Sequence, residues 1–101
     1  MNRLLLIVAL IFTISISAQD DSYTPLTEDQ QAKSLKISEE KIGLALQYDS
    51  GMDYDGMFFW LVKTNDGKEY YFNSSQNFTD VKHEEAEYSS LMEYVIEVIG
   101  F

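Results

Sequence analysis

Asp49, Asp53 and Asp55 fall within a short stretch that also holds Gly51 and Gly56. Carboxylates gathered on a flexible loop can wrap a hard, oxygen-seeking cation such as calcium. Asp53-x-Asp55-Gly56 matches the middle of an EF-hand loop, but the rest of that pattern fails. Its first position would be Gly51, and its bidentate glutamate position would be Val62. Aspartate and glycine are also turn formers, and a hairpin loop accounts for the same residues without metal. Calcium held here would be weakly bound, with help from backbone carbonyls.

His83 is the only histidine and stands beside Glu84 and Glu85. An imidazole that titrates near neutrality can serve as a general base or as a zinc or copper ligand. On a helix, Glu87 would share its face. No second histidine exists, and no serine lies in a Gly-x-Ser-x-Gly motif. A solvated histidine at a helix start explains the residue. Carboxylate hydrolysis needs two acids held at a defined separation across a cleft, and nothing in the spacing sets such a pair. The chain reads as a protein without chemistry of its own, not an enzyme.

Aromatic residues crowd the middle of the chain: Tyr48, Tyr54, Phe58, Phe59, Trp60, Tyr70, Tyr71 and Phe72. Phe58, Trp60 and Phe72 read as core. Tyr54 stands in the aspartate-rich turn, and Tyr71 alternates away from Tyr70 and Phe72, so these two are expected to face outward. With Asp53 and Asp55 they form the expected partner-binding surface, since exposed tyrosines anchor protein contacts well. Asn73-Ser74-Ser75 and Asn77-Phe78-Thr79 match the glycosylation acceptor pattern, which matters only in a eukaryotic host.

The elements that must position these residues follow from periodicity. Thr27-Glu28-Asp29-Gln30 has the form of a capping box, and a short helix from about 28 to 34 follows. Between 35 and 48 a helix would split its apolar residues onto two sides. A strand instead puts Ile42, Leu44, Leu46 and Tyr48 on one face, with a bulge or turn near Ser38–Glu40. Residues 49–56 read as turn. Met57–Thr64 is a nearly unbroken apolar run of strand length, expected to be central and buried on both faces. Asp66-Gly67 then signals a hairpin, and Glu69–Asn73 is the return strand. A helix capped by Thr79 or Asp80 is expected to run to about Met92, followed by a β-branched strand over 94–101.

The expected fold is therefore α+β, mainly antiparallel β. It is a small OB-like barrel, or a three-stranded meander with one helix and a C-terminal strand. If residues 28–49 are helical, the alternative is a helix–β-hairpin–helix arrangement.

Met1–Ala18 has one positive charge at Arg3, an apolar run from Leu4 to Phe12 and a small residue at Ala18. This is the layout of a removable secretory signal, too short in its apolar core to span a membrane. Its ending resembles bacterial signal peptides, which implies periplasmic or extracellular export. Residues 19–33 read as a flexible acidic leader holding the short helix, and residues 34–101 as one small β-rich domain. Loss of residues 1–18 removes one arginine and no acid, which takes the formal charge from −10 to −11. So acidic a surface repels phosphate backbones and anionic membranes, which argues against nucleic-acid or lipid partners. It favours encounter with a cation or a basic protein. With no cysteine, thiol catalysis, thiolate metal sites and disulfides are excluded. The function expected is that of an exported accessory or binding domain, such as an inhibitor or immunity-type partner of a basic secreted enzyme. Weak calcium or small-ligand binding through Asp49–Asp55 is the alternative.

Overall fold

The capping box at Thr27 forms in both directions. Gln30 N donates to Thr27 Oγ1 at 3.2 Å, and Thr27 N donates to Gln30 Oε1 at 2.9 Å. In the computed structural model, which describes residues 23–100, this cap starts a helix far longer than expected, α1 at Glu28–Ile42. The helix stops where Gly43 takes the left-handed conformation (φ 81°) and its N–H bonds back to Glu39 O. The signal segment and its cleavage position lie outside the described residues. The leader is not a bare tail from Tyr23 onward: Tyr23–Pro25 forms strand β1.

Four further strands follow, β2 at Gln47–Tyr54, β3 at Met57–Lys63, β4 at Glu69–Ser75 and β5 at Lys82–Glu85, then helix α2 at Leu91–Ile99. The strands lie in sheet order β1-β2-β3-β4-β5, each antiparallel to the next. The fold is α+β and mainly β, with a meander at its centre. The sheet is open, with edges at β1 and β5, so the OB-like closure does not form.

Three expected elements are corrected. The strand placed at 42–48 begins only at Gln47, and the segment read as turn is mostly strand. Only Asp55 and Gly56 turn, with φ of 54° and 78°. Positive φ at both central residues is the geometry whose twist suits a two-residue hairpin. The irregularity expected near Ser38–Glu40 falls at Asp49, between the Tyr48 and Ser50 pairings. The helix expected from Thr79 or Asp80 is replaced by β5, and both Phe78 and Asp80 have positive φ. The strand expected at 94–101 is α2. Ser90 Oγ accepts from Glu93 N, while Glu93 Oε1 accepts from Ser89 N, and this start outweighs β-branched propensity.

Both faces of the sheet are covered by a helix. On one face, Met52, Phe59, Leu61 and Tyr71 pack with Leu91, Tyr94 and Val95 of α2. On the other, Phe58, Trp60, Val62 and Phe72 pack with Leu26 and Leu46, flanked by Leu35, Ile37 and Ile42 of α1. Met57–Lys63 is thus central and buried on both sides, as its apolar run implies.

The seam under α1 is made of serine. Ser34 and Ser38, one turn apart, are its only fully buried residues, with Leu35 and Ile42 on one shoulder and Ile37 on the other. Small side chains let the helix sit close over Trp60, whose indole N–H donates to Ser38 Oγ at 2.7 Å. Ser38 Oγ passes its own proton to Ser34 O (2.7 Å), and Ser34 Oγ donates to Gln31 O (2.8 Å), so each polar atom in the seam is satisfied. Beside the seam, Leu26 packs over Gly51. A Cβ at Gly51 would lie 2.7 Å from Leu26 Cδ1 and 2.5 Å from Tyr48 Oη, which is why glycine interrupts β2.

Candidate functional site

The residues singled out by sequence are dispersed by the fold. Tyr71 is in the core, not on the surface. Its alternation away from Phe72 is real, but a sheet covered on both faces has no outward side at that position. Its hydroxyl lies 2.9 Å from Glu69 Oε1 and 3.3 Å from Tyr88 O. Asp49 sits at the bulge in β2 and pairs with Lys63 at 3.6 Å. Asp53 accepts from Gln76 Nε2 at 2.8 Å, and Asp55 occupies the hairpin turn. Four residues of extended chain separate Asp49 from Asp53 by roughly 13 Å. The three carboxylates therefore do not gather, and among the described residues no three acidic or histidine side chains converge as metal ligands.

His83 lies on β5, where a helix was expected, and stacks on Phe72 with ring centres 4.9 Å apart. On a strand its same-face neighbour is Glu85, not Glu87. Asn73 is buried and donates to Tyr94 Oη at 2.7 Å, so its amide is committed inside the fold. An open cleft of about 540 Å³ lies between the β3–β4 hairpin and the end of β5, with Asp66, Glu69, Glu85 and Glu87 on its walls. The Asp66 carboxyl, hydrogen-bonded by Thr64, is held below its ordinary range, which suits it poorly as a proton donor.

What the fold does assemble is a row that sequence reading half anticipated. Tyr23, Tyr54 and Met57 are cross-strand neighbours on β1, β2 and β3, half-buried on the α2 face. Asp55 lies in the turn that joins Tyr54 to Met57, and Asp53 on the opposite face of the same strand. The chain matches no known family model, no curated protein and no solved structure. The surface must therefore be read from its own chemistry.

That chemistry is apolar and acidic. Tyr94 reaches over β4 through Asn73 and packs on Phe59 and Tyr71, which places α2 above β3 and β4. The opposite flank of the helix carries Met92 and Ile99, half-buried, and Ile96, 40% exposed. From His83 to Gly100 the charged residues are Glu84, Glu85, Glu87, Glu93 and Glu97, with no lysine or arginine. Helix α1 is mixed in charge, with Lys33, Lys36 and Lys41 among Glu28, Asp29, Glu39 and Glu40, and Lys82 pairs with Asn73 on the α2 side of the sheet. Tyr23, Met92, Ile96 and Ile99 were missed by sequence reading because α2 was taken for a strand and β1 for a tail. The Ser90-x-x-Glu93 spacing was the available signal.

The tyrosines also set a limit on alkaline stability. Burial, then the Glu69 carboxylate, pushes Tyr71 up to about 12. Burial, then Asp49, does the same to Tyr48. For Tyr88 the leading cause is its hydrogen bond to Glu84, again to about 12. A phenol ionises near 10 in the unfolded chain, so the folded state holds these protons more tightly. The stability this contributes is complete below pH 10 and is lost as pH rises from about 10 to 12. Phenolate absorbance and loss of circular dichroism are expected to rise together in that window. Complete tyrosine ionisation by pH 10 with the fold intact would contradict this arrangement.

Proposed function

We propose that this chain is an exported, non-enzymatic binding module that recognises a basic protein partner. The observation that carries the reading is a half-exposed tyrosine row beside an acidic helix in a strongly acidic chain. The charged residues of α2 are Glu93 and Glu97 alone, and the helix borders the Tyr23–Tyr54–Met57 row. Charge of one sign speeds encounter with a complementary partner, while a tyrosine at the contact supplies affinity. Tyr54, beside Asp55 in the hairpin turn, is the expected anchor, while Asp53 faces the α1 side and is held by Gln76. Tyr71 has no part in the contact.

The test is capture from the exported-protein fraction at low and high salt, followed by titration of the captured protein. A basic protein retained at low salt and released at high salt is expected. Tyr54→Ala should weaken it by about ten-fold or more, the scale of a contact hot spot. Asp55→Asn should flatten the salt dependence. Binding unchanged in both variants would refute the surface.

A further inference from the structure

The two edges of the sheet differ in what they offer. Along an antiparallel strand, successive residues turn their backbone groups alternately toward and away from the neighbour. In β1, Leu26 N donates to Gly51 O at 3.4 Å, so Leu26 and Thr24 turn theirs to β2. The outward positions are Tyr23 and Pro25, and proline has no N–H to give. That edge cannot continue a ladder. In β5, Ala86 N donates to Glu69 O at 3.2 Å, which continues the β4–β5 register. Glu84 and Lys82 therefore face β4, while His83 and Glu85 turn both N–H and C=O away from the sheet. All four residues of β5 are exposed, and among the described residues no backbone hydrogen bond outside the ladder reaches His83 or Glu85.

Charge restricts what can pair there. His83 and Glu85 lie opposite Phe72 and Tyr70 on the α1 face, with the imidazole stacked on Phe72. Lys82 and Glu84 lie opposite Asn73 and Tyr71 on the α2 face, where Tyr88 Oη donates to Glu84 Oε1 at 2.7 Å. Lys82, Glu84 and Glu85 put a charge at all but one position of a short strand, which deters apolar edges from adding to it. The same charges admit a strand of the opposite pattern, because opposed charges on neighbouring strands attract and like charges repel. That pattern is basic opposite Glu84 and Glu85, and acidic opposite Lys82.

We propose that β5 is a strand-addition site, which takes an extended segment of another protein as a sixth, antiparallel strand with two consecutive basic residues against Glu85 and Glu84. Hydrogen bonds exchanged with His83 and Glu85 hold the segment, and its alternating side chains select it. An aromatic residue opposite His83 would extend the stack on Phe72. A second copy of this chain is opposed by its own charge. The register that pairs the outward groups of both β5 strands sets Glu84 against Glu84, in chains that each carry a formal charge of −10. The site lies at the opposite edge of the sheet from the strand β1 end of the Tyr23–Tyr54–Met57 row, so it stands or falls separately from the surface proposed there.

The probe is a synthetic peptide, Thr-Lys-Arg-Tyr-Glu-Thr, blocked at both ends, with its lysine opposite Glu85 and its glutamate opposite Lys82. Fluorescence anisotropy against the full chain at low salt should show binding about ten-fold or more tighter than that of the charge-reversed Thr-Glu-Asp-Tyr-Lys-Thr. N-methylation of the peptide's lysine or tyrosine, whose N–H groups face Glu85 and His83, should weaken binding by about ten-fold. N-methylation of its arginine, whose N–H points away from β5, should not. On the protein, Glu85→Gln removes a charge, while Glu85→Pro also removes an outward N–H without breaking the ladder to β4, and should bind more weakly still. Circular dichroism shows whether the proline variant keeps the fold, and the N-methyl series tests the register with the protein unaltered. No binding, equal loss at all three N-methyl positions, or equal binding of the charge-reversed peptide would overturn the proposal. A dimer by sedimentation that Glu85→Pro dissolves would also overturn it, by placing a second copy on the edge. Failure here with salt-dependent capture intact sinks the edge alone, and the N-methyl pattern without capture sinks the Tyr54 surface alone.

Discussion

Ser38→Leu is expected to destabilise the protein by about 2–6 kcal/mol, a large fraction of the roughly 5–15 kcal/mol by which such domains are stable. Two costs add. Ser38 is fully buried between α1 and Trp60, so extra methylenes force the helix away from the sheet, at about 1–3 kcal/mol. The same change removes the acceptor of the Trp60 indole N–H, and a buried donor left unpaired costs about 1–3 kcal/mol more. Ser38→Ala separates them, because it keeps the fit and loses only the acceptor. Denaturant unfolding followed by Trp60 fluorescence is the measurement, since Trp60 is the only tryptophan. Equal stability of the wild type and both variants would show that α1 does not dock through its serines.

The largest loss on the opposite face is expected at Tyr94. Its ring packs on Phe59, Tyr71 and Tyr88, and its hydroxyl accepts from the buried Asn73 amide. Tyr94→Ala should cost about 3–5 kcal/mol, as large-to-small changes of buried aromatics do. Tyr94→Phe keeps the ring and orphans one buried N–H, which is worth about 1–3 kcal/mol. Thermal melts of the two variants should fall in that order. A Tyr94→Phe protein as stable as the wild type would mean that Asn73 finds another acceptor.

These two positions also show where the sequence was legible. The centre of the sheet could be read directly. Met57–Lys63 is so densely apolar that only a strand buried on both faces accommodates it, and Asp66-Gly67 places the hairpin that follows. The cap at Thr27 was equally clear, but its helix was cut short. The apolar residues of α1 fall on two shoulders, and hydrophobic periodicity sees two weak stripes where the buried seam is serine. A seam of that kind depends on a partner indole 22 positions away. Local pattern carries no trace of that distance.

The end of the chain failed for a different reason. Val95, Ile96, Val98 and Ile99 favour strand as isolated residues, yet the Ser90 cap and the packing of Leu91, Tyr94 and Val95 make them helical. Once α2 and β5 had changed places, the site residues moved too. Tyr71 went inside because the sheet gained a second cover. Asp49 and Asp53 separated because the expected loop is a strand. Tyr54 kept a place near the surface because it adjoins a two-residue turn, a feature fixed by Asp55-Gly56 alone.

The meander has a kinetic meaning. Every strand is paired with its immediate predecessor in the chain, and the β2–β3 and β3–β4 connections are short turns. Only the β1–β2 pairing must wait for a distant segment, because α1 lies between Tyr23 and its partner Tyr54, and the other pairings lose little loop entropy before contacts reward it. Each hairpin can serve as the template for the next strand. The two helices then close over a sheet that is already ordered. The β2–β5 part of the sheet is expected to order first, because contact order, more than stability, sets the rate.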